Sequence, residues 1–471
     1  MAGIQDTKAA MGLKVALARS VRVASSLGGH GGTNLPGKVV RALDPSIIRR
    51  LAVKLPRGSV VVSATNGKTT TSAMIYSILA GEGLKVAHNR EGANLTEGVA
   101  SALLKDASLS GAPGSDLGLF EVDENHFPEV VAQGAPAVVL LMNLFRDQLD
   151  RYGELESIAQ RWSDTVKRLD PAVKLVLNAD DPLVADLGAL KTAAVVYYGI
   201  QDESAGGDVM QHASDSKYCS VCGKPYEYRV FYIGHEGIYR CLNCGHSRPS
   251  PAIYAREVRP HGMEGCRFTL VAPDGEFEVT LGLPGLYNVY NALAAAACCL
   301  SLGISPEAVK TGLEAFSAAF GRVERLTVDG HKTILLLVKN PAGFNEVVRT
   351  LLAEPGKKRL LMALNDNIAD GRDISWIWDV DLEALAGEVE WAVCSGTRAA
   401  EMAIRFKYAG VGTELLTVAG DLRGALRESL ARLKEGELLY ILPTYTAMLA
   451  LRQAMSQHFR VAEPMGDLVW K

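Results

Sequence analysis

From Val60 onward, short apolar runs alternate with stretches of helical period. VVVSA (60–64) precedes a helix, and LGLFEVDE (117–124), AVVLLMN (137–143) and KLVLNADD (174–181) have the length and apolar character of buried strands. That alternation predicts a parallel sheet covered by helices. Residues 201–275 break the rhythm with aromatics, glycines and two cysteine pairs, and read as an insertion. LPGLYNVYNALAAAACCLSLG (283–303) resumes a helix, and the composition shifts over 321–330, where a domain boundary is expected. Beyond it, the strands KTILLLV (332–338), KRLLMAL (358–364), WAVCS (391–395) and LLYILP (438–443) alternate with helical segments near 342–353, 397–409, 420–434 and 444–457. This is the pattern of a second, smaller, Rossmann-like α/β domain. Upstream, residues 8–27 fit an amphipathic helix, with Leu13, Val15, Leu17, Val21 and Val23 between Lys14, Arg19 and Arg22. The expected organisation is a basic N-terminal helical segment (1–45), a central α/β domain (46–325) with an insertion at about 205–255, and a C-terminal α/β domain (326–471).

Composition narrows the class. The 471 residues are 48% hydrophobic and 22% charged, enough for roughly three domains with ordinary cores. No stretch reaches the roughly 18 uninterrupted apolar residues of a membrane span, and no signal peptide is read at the basic N-terminus. Eight cysteines in so long a chain are not a disulfide framework. A cytoplasmic location is expected. The net charge of −4 gives no ground for nucleic acid as a partner. Charge is uneven, however: residues 1–57 hold ten Lys/Arg against two Asp/Glu. Two readings stand, a docking helix with a solvated basic face, or attraction to an anionic surface, such as the phospholipid headgroups at the inner face of the membrane or a pyrophosphate-bearing substrate.

The chemistry begins at Thr65-Asn66-Gly67-Lys68-Thr69-Thr70, after a β-branched strand and at the start of a helix. Gly67 lets backbone N–H groups approach phosphate oxygens, and the helix N-terminus adds a favourable dipole. Lys68 can reach the β- and γ-phosphates, and the Thr69 hydroxyl is placed for Mg²⁺. The first glycine of the longer motif would fall at Val62, yet strand, glycine, lysine and threonines coincide, so an ATP site is expected. In the insertion, Cys219-x-x-Cys222 and Cys241-x-x-Cys244 are eighteen residues apart, and Gly223 and Gly245 follow the pairs. Four thiolates at this spacing predict a zinc ribbon whose closed coordination makes the Zn²⁺ structural.

TNGKTTT, NREGAN (89–94), EVDE (121–124), NLFRDQLDRYGE (143–154), NADDP (178–182), GLYNVYNALAA (285–295) and GRVE (321–324) resemble, in the same order, the motifs of Mur ligases. Those enzymes join an amine to a carboxylate through an acyl phosphate. KNPAG (339–343) and NDNIADGRDISWIWDVDLE (365–383) narrow the resemblance to the Mur ligase-like synthetase subunits of lipid II isoglutaminyl synthases. The resemblance implies a central ATP-binding domain of Mur ligase type. In it Glu121 would join Thr69 on Mg²⁺, and Asn288 and Asn291 would border the nucleotide. Arg322 would reach the nucleotide from the hinge, and Lys339 and Asn340 from the C-terminal domain. It also implies a heterodimer with a GatD-like glutaminase, in which Asp373 completes a Cys-His-Asp triad, and lipid II as substrate.

Three departures bear on the reaction. A histidine of many Mur ligases is Gln148 here, the lysine often carbamylated is absent from AQRW (159–162), and an acidic position before the C-terminal loop lies in the apolar run 335–338. These count against the rival reading, a stand-alone Mur-type or folylpolyglutamate-type amino-acid ligase. About 60 residues precede the loop, which favours a lipid-linked over a UDP-linked substrate. No cysteine sits in a nucleophile elbow with a histidine partner, so ammonia is expected from another chain.

Overall fold

The computed structural model describes residues 8–27, 34–89, 93–146, 155–191, 194–212, 214–316 and 323–462. Six parallel strands come first: β1 (Ser59–Ser63), β2 (Val86–His88), β3 (Leu117–Glu121), β4 (Pro136–Leu141), β5 (Lys174–Asn178) and β6 (Val195–Ile200). A separate hairpin, β7 (Glu227–Ile233) and β8 (Glu236–Arg240), precedes β9 (Ile253–Pro260), β10 (Cys266–Ala272) and β11 (Gly275–Leu281). The main sheet has nine strands in the order β11-β10-β9-β6-β5-β4-β1-β3-β2. It is parallel from β2 through β9 and antiparallel over β9-β10-β11.

β1 is buried at every position, as a β-branched run between two helical layers should be. Val60 and Val62 enter a core with Met74, Ile75 and Ile78 of helix Lys68–Gly81 and with Val289 and Leu293 of helix Leu286–Ser301. Val61 faces the opposite core, which includes Phe127, Trp162 and the N-terminal helices. Helix Lys8–Leu27 forms as expected, but its buried stripe is Met11, Val15 and Ala18. Leu13 and Val23, expected on the apolar face, are 73% and 57% exposed. Residues two apart on a helix point about 200° away from each other, so Leu13 and Val15 cannot share a face.

The insertion is also shorter than the broken rhythm of 201–275 suggested, because β9 pairs with β6 and β10 carries the sheet onward. In β10, Phe268, Leu270 and Ala272 are buried while Arg267 is exposed. Strands covered on one face alternate rather than run continuously apolar, a weaker signal than that of β1.

The C-terminal domain contains β12 (Val323–Val328), β13 (His331–Leu336), β14 (Lys358–Ala363), β15 (Val389–Ser395), β16 (Leu416–Val418), β17 (Leu438–Pro443) and β18 (Val461–Ala462). Its order is β16-β15-β14-β17-β13-β12-β18, parallel from β16 to β13. Helices Pro341–Ala353 and Ala399–Tyr408 supply Phe344, Val347, Met402 and Phe406 to one core. Helices Leu422–Arg432 and Tyr445–His458 supply Leu426, Met448 and Leu451 to another. Among the described residues, no helix is long and apolar enough to cross a membrane.

Candidate active site

Where β1 ends, the chain turns through Gly67 at φ +85° into helix Lys68–Gly81. A side chain at Gly67 would collide with the Asn291 Oδ1, so both backbone angle and space demand glycine. The Lys68 ammonium is buried, donates to the Ala64 carbonyl and pairs with Glu124 Oε2 at 2.9 Å. Burial works to lower its pKa, but Glu124, Asp123 and Glu121 outweigh that and raise it, so the lysine is held charged. Thr69 Oγ1 donates to Glu121 Oε1 at 2.8 Å. The two oxygens expected to hold Mg²⁺ are therefore neighbours, and both are hard donors that suit that cation. Asn89 fixes the acidic strand end: its Nδ2 donates to the Glu121 carbonyl at 2.7 Å and its Oδ1 accepts from the Glu121 N–H at 3.0 Å.

Of the remaining expected residues, Asn288, Asn291, Lys339 and Asn340 gather at this loop. Asn291 Nδ2 donates to Asn288 Oδ1 at 3.0 Å, and Thr71 Oγ1 donates to Asn291 Oδ1 at 3.2 Å. From the C-terminal domain, Asn340 Nδ2 donates to Asn66 Oδ1 at 2.9 Å and Lys339 Nζ to the Thr65 carbonyl at 3.2 Å. Asn340 Oδ1 also caps its own helix by accepting from the Gly343 N–H at 2.9 Å. Thr70 is half-buried on the first helical turn. Arg322 and Gln148 lie outside the described residues.

Besides Asn89, four site residues were given no role by sequence reasoning. Glu124, the last letter of the quoted EVDE, is the partner of Lys68. Asn143 accepts from the Asn66 N–H at 2.8 Å and donates back to its carbonyl at 3.1 Å. Glu236 and Glu346 line the cavity that Asn66, Gly67 and Asn291 also line. They come from the inserted hairpin and from helix Pro341–Ala353, and only the folded chain brings them together.

The four cysteines of the insertion form one cluster whose ligand atoms lie within 4.8 Å of each other. Cys219 and Cys244 sulfurs are 3.6 Å apart, and Cys222 and Cys241 sulfurs 3.5 Å. Zn–S bonds of about 2.3 Å in a tetrahedron require S···S edges near these values. Each pair sits on a similar turn: Gly223 N–H donates to the Cys219 carbonyl at 2.8 Å, and Gly245 N–H to the Cys241 carbonyl at 3.0 Å. Both glycines have positive φ, 69° and 79°.

On the acidic loop, Asp373 is exposed and its Oδ1 accepts from the Ser375 N–H at 2.8 Å. Neighbouring acids are committed to structure: Asp370 accepts from the Thr446 N–H at 2.8 Å, and Asp366 pairs with Arg398 at 2.8 Å. Trp378 is half exposed and contacts Tyr408 with ring centroids 5.7 Å apart. Burial pushes the thiols of Cys266, Cys298 and Cys394 up to about 12, and that of Cys299 well above its usual value. A thiol is nucleophilic as its thiolate, and burial disfavours that form at all four.

A family model described as the Mur ligase middle domain matches residues 62–245, and one described as MurT ligase C-terminal matches 337–448. In Staphylococcus aureus (strain COL), the subunit MurT of lipid II isoglutaminyl synthase (glutamine-hydrolyzing) is 32% identical over 446 residues, 94% of this chain and 97% of that one. Its Streptococcus pneumoniae (strain ATCC BAA-255 / R6) counterpart is 31% identical over 436 residues, 92% and 95% of the two chains. Among solved structures, a pseudomurein peptide ligase type C from Methanothermus fervidus gives a TM-score of 0.65 at 25% identity, over 85% of this chain and 78% of that one. MurF ligase from Thermotoga maritima in complex with ADP gives 0.62 at 14% identity, over 88% and 84%, a likeness of fold. Fold and phosphate loop thus define a ligase of the Mur type, a class that uses ATP and Mg²⁺. Within that class, the chain belongs to the MurT family.

Proposed function

We propose that this chain is the synthetase subunit of a glutamine-fed amidating enzyme acting on lipid II. A carboxylate oxygen of the stem-peptide D-glutamate attacks the γ-phosphorus of ATP, and ADP leaves. Ammonia then attacks the acyl carbon, the C–O bond to phosphate breaks, a proton is lost and D-isoglutamine results. Activation is needed because hydroxide is a poor leaving group and phosphate a good one. The observation that carries this reading is the convergence of Lys68, Thr69, Glu121 and Asn291 with Lys339 and Asn340 of the second domain on one loop.

Thr69 and Glu121 would hold Mg²⁺, which when bound neutralises charge on the transferring phosphoryl group. Lys68 would exchange Glu124 for phosphate oxygens. Lys339 and Asn340 bring the second domain against the loop, which would exclude water from an acyl phosphate that water destroys. The buried thiols favour ammonia delivered by a GatD-like glutaminase, and the exposed Asp373, five residues before the half-exposed Trp378, would orient that partner's histidine. Cys219, Cys222, Cys241 and Cys244 would bind one structural Zn²⁺.

The test is amidation of lipid II by the chain with its glutaminase, ATP and glutamine. Lys68→Ala should lower it by at least about 10²-fold, the cost of deleting one charge-stabilising donor. Near-normal amidation by a folded Lys68→Ala variant would overturn the site assignment.

A further inference from the structure

One wall of the phosphate-loop cavity is acidic, although a nucleotide is itself an anion. Glu346 and Glu236 line the cavity together with Gly67, Phe145, Leu337 and Val347. Glu346 is 2% exposed, and neither of its carboxyl oxygens completes a hydrogen bond among the described residues. Gln211 and Arg349 are its polar neighbours, and Gln211 stands close enough to favour the charged carboxyl without completing a hydrogen bond to it. Glu236 is 1% exposed and accepts from Asn178 Nδ2 at 2.7 Å through Oε1. A buried carboxyl with unused acceptors, beside flat apolar walls, is built for a planar ligand that brings its own N–H donor.

We propose that Glu346 reads the base of the nucleotide by accepting a hydrogen bond from the exocyclic amine of a 6-aminopurine. The proposal rests on the ATP reading of the loop and adds which atom of the base is recognised and by which residue. Phe145, Leu337 and Val347 supply the apolar surface that a purine ring requires, while the loop at Gly67 takes the phosphates. Burial raises the Glu346 pKa, and Arg349 and Gln211 offset only part of that, so the neutral carboxyl is favoured over that of an ordinary glutamate. A neutral carboxyl keeps an acceptor oxygen and brings no second negative charge towards the phosphates.

The experiment is a double-mutant cycle between protein and ligand. Binding of ATP and of purine riboside triphosphate, which lacks the 6-amino group, is measured calorimetrically with Mg²⁺ on the full chain with its partner. Wild type should bind ATP roughly tenfold more tightly than the analogue, the value of one buried hydrogen bond. Glu346→Leu should erase that difference by weakening ATP alone, and Glu346→Gln, which keeps an acceptor, should restore it. If Glu346→Leu weakens both ligands equally, or leaves the tenfold difference intact, Glu346 is a structural residue and the proposal falls. Equal binding of both ligands by wild type would overturn base reading while leaving the ATP site standing. Failure of wild type to bind either would overturn the ATP reading itself.

Discussion

At single positions, the site is governed by close approach and charge pairing. Gly67 is the clearest case, since its φ of +85° and the adjacent Asn291 Oδ1 both exclude a side chain. Gly67→Ala should destabilise the chain by about 1–3 kcal/mol, the usual cost of such backbone strain, and abolish nucleotide binding. Urea unfolding and nucleotide titration of the variant check both. Asp373 makes a different kind of claim. Asp373→Asn should cut glutamine-driven turnover by up to about 10⁴-fold, because an amide cannot stabilise an imidazolium. Free ammonia should restore amidation. If ammonia fails to rescue a folded variant, Asp373 serves the phosphoryl step instead. The TNGKTTT loop was legible because strand, glycine, lysine and threonines are contiguous in sequence. Glu346 was not, because one glutamate on an amphipathic helix looks solvated until the fold buries it.

At the level of elements, the inserted hairpin is tied to the sheet where Glu236 accepts from Asn178 Nδ2 at 2.7 Å and the Gly237 N–H donates to the Asp180 carbonyl at 2.9 Å. Asp180 accepts from the Tyr290 hydroxyl at 2.6 Å and from the Ile200 N–H at 2.8 Å, and it pairs with Arg248. Burial, with Asp181, Asp180 and Glu346 adding to it, holds the Glu236 pKa well above the usual carboxylate range. The folded state then keeps a proton that the unfolded chain releases above about pH 4.3, so this group's contribution is lost as pH rises. Glu236→Gln should therefore flatten the loss of stability as pH rises above about 5, by up to about 1.4 kcal/mol per pH unit. Unchanged slopes in urea melts would show that Glu236 does not titrate there. Chelation should strip Zn²⁺ from the cysteine cluster and loosen β7–β8 while ATP still binds. Elemental analysis and hydrogen exchange read the two effects, and freshly purified protein without zinc would refute the assignment. The CxxC pairs were readable because ligand spacing along the chain is nearly the geometry itself. β9 and β10 were not, because strands covered on one face have no continuous apolar run.

On the scale of the whole molecule, the two halves meet through polar links at the phosphate loop, Lys339 to Thr65 and Asn340 to Asn66, and through apolar packing of Ala342 and Met263. The sequence showed two α/β domains through their alternation of strands and helices. It could not show that Asn340 caps its own helix and reaches Asn66 with the same side chain, which only the relative placement of the sheets decides. The most direct measurement is mass spectrometry of the lipid II stem peptide after incubation with this chain, ATP, Mg²⁺ and ammonium, with no glutaminase present. The account predicts conversion of the D-glutamate α-carboxylate to its amide, with one ADP and one phosphate formed per amide. An unmodified carboxylate under those conditions, together with ATP-dependent joining of a free amino acid, would contradict it.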